Sequence, residues 1–114
     1  MLLAALAFVV IASCYDGDTC TTTTGERVRL ACIDTPELRG ERAEPVPARD
    51  ARDHLRGLVV AKKVRIRRIT KDRFGRTVAE LFLGETNVQR EMVAIGHAEI
   101  IKRYAHQCPW TERQ

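Results

Sequence analysis

No stretch of this chain supplies the roughly 20 apolar residues that a helix needs to cross a bilayer; the apolar front, Met1 to Ala12, is too short. The four cysteines, Cys14, Cys20, Cys32 and Cys108, form no Cys-x-x-Cys pair and stand beside no histidine at metal-binding spacing, so a thiolate zinc site is excluded. There are no internal repeats and no low-complexity linkers. Ser13 is not set in a nucleophile elbow, which removes an acyl-transfer enzyme from consideration. His54, His97 and His106 have no acid/base partner visible in sequence and read as surface or helix-packing residues. With 114 residues there is room for one core, so two-lobed architectures fall away as well.

What is present is a folded composition, 45% hydrophobic and 30% charged, too apolar for a disordered chain. The formal charge of +4 is unevenly spread. From Lys62 to Arg76 there are eight Lys or Arg and one acid, a net of +7, so the remainder sums to −3. A basic strip on an acid-leaning domain points to a polyanionic partner. Three of those eight, Lys63, Arg65 and Arg67, also have the pattern of any strand's solvated face.

Along the chain, the first fifteen residues carry no charge. Residues 1–8 read as the remnant of an export signal, although no Lys or Arg precedes the apolar run as such signals normally require. Ile11-Ala12-Ser13-Cys14 resembles a lipoprotein cleavage box with Cys14 as the acylated residue; the competing reading is a first strand from about Val9. Thr19–Thr24 and Val28–Ile33 around Gly25-Glu26 predict a hairpin, stopped by Pro36. Residues 38–47 read as an exposed loop. Ala51, Leu55, Leu58 and Val59 share one face of a helix that starts near Pro47. Val64, Ile66 and Ile69 alternate with basic residues in a strand, the Asp72–Gly75 turn follows, and Thr77–Leu83 is a further strand. Asn87 is a candidate N-cap for a second helix with Val88, Met92 and Ile95 inward and Gly96 as its stop. Ala98–Ile101 is a last short strand, so the domain is expected over residues 9–104 with 105–114 as a tail. This order of elements suggests a small closed barrel of the OB type with packed helices. The cysteines allow up to two disulfides in three pairings, or equally four buried small hydrophobes.

Four stretches carry candidate chemistry. Asp16-Gly17-Asp18-Thr19 offers two carboxylates in a tight turn, and Ile33-Asp34-Thr35-Pro36-Glu37 brings further oxygens to a strand end. Acids brought together in this way favour a hard cation, Ca²⁺ or Mg²⁺. Arg29, inside an apolar strand, and Arg76, directly after a glycine turn that carries Arg73 and Phe74, are forked donors suited to a phosphate. A cation, two arginines and one free carboxylate are the parts that phosphodiester hydrolysis requires.

The ordered motifs Asp-Gly-Asp-Thr, Val-Arg-Leu-Ala-Cys-Ile-Asp-Thr-Pro-Glu, Asp-Arg-Phe-Gly-Arg and Asn-Val-Gln-Arg-Glu-Met-Val-Ala-Ile-Gly-His-Ala resemble the staphylococcal nuclease (thermonuclease) family over roughly Val9 to Ile101. The resemblance implies a five-stranded OB barrel and a Ca²⁺-dependent endonuclease acting on DNA and RNA. It implies that Asp18, Asp34 and the Thr35 carbonyl ligate calcium, with Asp16 tuning that site from outside. Glu37 would be the general base or water-orienting carboxylate, and Arg29 and Arg76 would bind the scissile phosphate. Arg73 and Phe74 would contact the nucleic acid, Phe74 keeping the ring but losing the hydroxyl of the tyrosine common there. The family's long C-terminal helix is expected to be missing. The chain reads as a monomer without a stable protein partner, exported to the medium or cell envelope, where its apolar front could also hold it at a membrane. The competing functional reading is an OB module that binds nucleic acid with little or no cutting.

Overall fold

The computed structural model describes residues 7–113. Residues 1–6, most of the segment read as an export remnant, lie outside the described residues. Eight strands and two α-helices follow in the order β1 (Ala7–Cys14), β2 (Thr19–Thr22), β3 (Arg27–Leu30), β4 (Ile33–Asp34), α1 (Pro45–Val59), β5 (Lys63–Lys71), β6 (Thr77–Leu83), β7 (Thr86–Asn87), α2 (Val88–Ala94) and β8 (Glu99–Ile100). Two short 3-10 helices, Lys102–Gln107 and Pro109–Arg113, complete the described chain.

The expected barrel is observed. Strands pair in the order β3-β2-β1-β5-β6, and a parallel β3–β6 ladder, Val28 opposite Thr77 and Leu30 opposite Ala79, closes the sheet on itself. Closure requires strands that bend, and the register breaks between Ile11 and Ser13 in β1 and between Arg68 and Thr70 in β5 supply the bends. Ile11, Val28, Leu30, Val64, Ile66, Ala79 and Leu81 alternate inward and are almost fully buried. They meet Leu55 and Val59 of α1 and Val88 and Met92 of α2, so the helices close the barrel where its strands alone would leave apolar surface wet.

Helix α1 begins at Pro45, two residues inside the segment read as loop, because a proline in the first helical turn forfeits only an N–H that has no intrahelical partner. Asn87 caps α2 as expected, its Oδ1 accepting from the Arg90 amide at 3.1 Å. Ile95 is a correction: it falls past the last helical residue and is 42% exposed. Beside Val88 and Met92, the third fully buried member of this stretch is Gln89. Its Oε1 accepts from Leu81 N (3.1 Å), and its Nε2 donates to Ala79 O (3.0 Å) and Ala31 O (3.3 Å). Helix and barrel are thereby joined through one buried side chain bonded to three backbone groups.

All four cysteines are paired, Cys14 with Cys20 across the β1–β2 ladder and Cys32 with Cys108 over 76 residues of sequence. Cys14 therefore sits in a strand with its sulfur already bonded, and holds no free thiol for the acylation that the cleavage box suggests. Residues 105–113, read as a tail, are fastened to the barrel. Trp110 packs on the core and donates its indole N–H to buried Glu80 at 2.9 Å, and Arg67 bonds both Glu80 and the Gln107 carbonyl. Among the described residues no helix is long and apolar enough to cross a membrane.

Candidate active site

The Asp16-Gly17-Asp18 turn lies directly against α1 and Thr35. A Cβ at Gly17 would fall 2.8 Å from the Ala51 Cβ and 2.9 Å from the Thr35 side chain, so only hydrogen fits there. This close approach buries Asp18, whose Oδ2 accepts from both the Thr35 amide (3.2 Å) and the Thr35 hydroxyl (3.1 Å). Its other oxygen accepts from Thr19 Oγ1 at 3.1 Å. The spacing of two motifs far apart in sequence is thus resolved into one hydrogen-bonded unit.

Arg29 on β3 leans over the same unit. Its Nη2 is 3.5 Å from Asp18 Oδ2 and 3.9 Å from Asp34 Oδ1, while Nη1 donates to the Leu30 carbonyl at 2.7 Å. Asp34, at the end of β4, is largely exposed. Asp16 stands behind, with Oδ1 accepting from the Asp18 amide at 3.1 Å. Burial pushes its carboxyl up to about 6, and the neighbouring negative charge of Asp18 adds to the rise.

Arg76 reaches the site from the other direction, off the β5–β6 turn. Gly75 occupies the left-handed region at φ +80°, which places residues 74 and 76 around Asp72. One Asp72 oxygen accepts from the Phe74 and Arg76 amides at 2.9 and 3.0 Å, and the other from Arg76 Nε at 2.7 Å. Burial acts to raise the Asp72 carboxyl, but those amides and the Arg76 guanidinium outweigh it and hold the group below its ordinary value. Arg73 and Arg76 lie over the faces of the exposed Phe74 ring, with guanidinium carbons 4.9 and 5.5 Å from its centroid.

Arg29, Arg73, Phe74 and Arg76 line one open cleft of about 650 Å³. Asp34, Thr35 and Glu37 line a second, adjoining depression of about 340 Å³, with Arg42, His97 and Glu99 on its rim. The expected site residues therefore form two groups that meet at Asp34 and Arg29, with Asp18 beneath them. The expectation that four acids gather is corrected: among the described residues no three His, Cys, Asp or Glu side chains lie together as a metal-holding group. Arg29 occupies the position between Asp18 and Asp34, and its positive charge compensates theirs. In kind, the donors remain those of a hard cation, two carboxylates and the Thr35 carbonyl with no soft ligand nearby.

Three contributors were not read from the sequence. Arg103 and Tyr104 form the far wall of the cleft, on the 3-10 segment that the Cys32–Cys108 bridge holds in place. The signal for them was Cys108 itself, since a cysteine paired near β4 must draw the preceding residues to the same edge. Asp72 is the third; its four-residue spacing from Arg76 around a glycine is the only local trace of that pairing.

A closed five-stranded OB barrel with two arginines opening onto one cleft beside a carboxylate-rich edge is the class of domain that fold and site define. Residues 27–113 match the family described as Staphylococcal nuclease homologue, and the chain belongs to that family. It is similar to an uncharacterized endonuclease of Haemophilus influenzae, 38% identical over 95 residues that cover 80% of this chain and 51% of that protein. The probable staphylococcal-like nuclease CAN3 of Oryza sativa subsp. japonica is 33% identical over 95 residues, covering 82% of this chain and 23% of its own length. The rice nuclease CAN2 is 32% identical over the same extent. The chain thus spans about half the length of the first of these relatives and about a quarter of the others.

Proposed function

We propose that this domain is a calcium-dependent endonuclease that hydrolyses phosphodiester bonds in DNA and RNA. The observation that carries the reading is that Arg29 and Arg76 line one cleft while Arg29 also reaches Asp18 and Asp34, the latter sharing the adjoining depression with Glu37. The relatives named as nucleases support it. Arg29 and Arg76 present forked donors to the non-bridging oxygens of a phosphodiester and stabilise the charge that grows on them. Glu37, exposed and unencumbered by an ion pair among the described residues, orients a water and takes its proton as oxygen adds to phosphorus. The bond to the leaving oxygen breaks and that oxygen is reprotonated, with Arg76 nearest to assist. Asp18, Asp34 and the Thr35 carbonyl would hold calcium, which when bound supplies further positive charge at the phosphate. Phe74 offers a ring for a base, with Arg73 beside it for the next phosphate.

The test is cleavage of single-stranded and duplex DNA and of RNA by the purified chain with millimolar Ca²⁺. EDTA should abolish it, and Glu37→Gln should lower the rate by about two to four orders of magnitude, the range of general-base contributions. Cleavage indifferent to both EDTA and Glu37→Gln would sink the reading. Salt-dependent binding without any cutting would leave the binding-module alternative in its place.

A further inference from the structure

The basic strip divides sharply once its partners are seen. Arg67 is bound to Glu80, Arg68 to Glu26 and Arg76 to Asp72. Lys63 and Arg65 have no carboxylate partner among the described residues; they face aromatic rings instead. The Lys63 ammonium is 5.0 Å from the centroid of Phe8 and the Arg65 guanidinium is 4.1 Å from that of Phe82.

These four residues make a row that the barrel register dictates. Phe8 lies opposite Arg65 across the β1–β5 ladder, and Arg65 lies opposite Phe82 across β5–β6. Their strand neighbours Val64, Ile66 and Leu81 point into the core, so the row faces outward by the two-residue alternation of strands. Phe8, near the start of β1, is 49% exposed, a large ring left in water. The one acid on this outward face of β6, Glu80, is buried and spent on Arg67, Asn87 and Trp110. The surface is thus cationic, with Arg65 set between the rings of Phe8 and Phe82. Val78, which lines the cleft, is on the same face of β6 as Phe82 and four residues away, roughly 13 Å along the strand.

Resting on the nuclease reading above, we propose that Phe8, Lys63, Arg65 and Phe82 form a second nucleic-acid surface that holds a single strand outside the cleft. Exposed rings accept unstacked bases of any sequence, and unpaired cations beside them take the phosphates. Phe8, 49% exposed, is the ring that offers area to a base, while Phe82, half-buried beneath the Arg65 guanidinium, holds that cation in place. Duplex DNA hides its bases and engages only the cations, so the surface prefers single strands. Its role is to hold a strand while the cleft acts on a bond further along.

The experiment is fluorescence anisotropy of a labelled 20-nucleotide oligothymidine and of a labelled dinucleotide, with EDTA present so that neither is cut. Lys63→Ala with Arg65→Ala should weaken the 20-mer roughly ten-fold and reduce the slope of log affinity against log salt by about 1.4, two cations at about 0.7 each. Phe8→Leu should weaken the 20-mer roughly ten-fold with the salt slope unchanged, as loss of one stacked base does. Binding of the dinucleotide should be the same in all three proteins. Should the double variant melt early, Lys63→Gln alone, at an exposed position, must still lower the slope by about 0.7. Unchanged 20-mer affinity and slope in these variants overturn the proposal. So does unchanged 20-mer affinity accompanied by lost binding to vesicles of anionic phospholipid, which would make the row a membrane contact. A wild-type chain that binds the 20-mer through this row but cuts nothing with calcium would refute the nuclease reading while leaving the surface standing.

Discussion

Arg29 Nη2 lies 3.5 Å from Asp18 Oδ2, so the strand arginine proposed to bind a phosphate is also the cation that compensates a buried carboxylate. The same atom reaches Asp34 at 3.9 Å. One side chain therefore joins the phosphate cleft to the carboxylate edge. Any positive ion held at that edge would share its work with Arg29.

Removing this arginine should cost stability as well as activity. Arg29→Ala leaves Asp18 buried with only the donors of Thr19 and Thr35, a loss of about 2 kcal/mol. Calcium should return part of it, because a ligand that binds only the folded state raises its stability by mass action. Thermal melts of both proteins with and without Ca²⁺ give the answer. The calcium-induced rise in Tm should be larger in the variant; equal rises would mean that the arginine and the ion do not share the carboxylates.

Gly17→Ala tests the close approach of the acidic turn to α1. The added methyl meets the Ala51 Cβ and Thr35 side chain inside contact distance, so the turn must shift away from Thr35. A destabilisation of about 1–3 kcal/mol is expected, together with weaker calcium binding, since the Thr35 bonds fix Asp18. Urea unfolding and calcium titration calorimetry would read both; a variant with wild-type values in each would contradict the packing described.

The Cys32–Cys108 bridge closes a long segment and should matter more than Cys14–Cys20, which closes a short one. Chain-entropy reasoning gives a loss of about 4 kcal/mol for Cys32→Ser with Cys108→Ser and about 2 kcal/mol for Cys14→Ser with Cys20→Ser. The first pair should also redshift the fluorescence of Trp110, whose seat on the barrel depends on the adjoining bridge. Equal losses in the two variants would point to strain or residual structure in place of loop closure.

Glu26 should make the fold acid-sensitive. The Arg68 guanidinium is the main reason that its carboxyl falls from 4.5 to about 2, with the Thr77 hydroxyl assisting against a burial cost. A lowered carboxyl contributes stability that is complete above pH 4.5 and disappears as pH falls through about 2. Because Arg68 is half-exposed the contribution is screened to about 1 kcal/mol. In urea titrations, wild type should exceed Glu26→Gln by that amount at pH 6, and the gap should close between pH 4.5 and 2.

Most of the barrel was legible because alternation and turn chemistry are local. Val64 and Ile66 against Lys63 and Arg65, Gly25 between two β-branched runs, and Asn87 before Val88 each state their structure within a few residues. Ile95 misled because helical spacing continues past the point where Gly96 ends the helix. The acids misled because sequence order says which carboxylates sit near strand ends, and nothing about the guanidinium that separates them.

By itself the sequence determined the strand and helix order and the family's motifs, since these follow from side-chain type and short-range periodicity. Only the tertiary structure decided that Arg29 stands between Asp18 and Asp34, that Cys108 and Trp110 fasten the last residues to the cleft wall, and that Phe8, Arg65 and Phe82 share one row. Each of these depends on register and closure across segments distant in sequence. Only the packed core, by fixing which strand lies beside which, selects those pairs from the many that the residues alone allow.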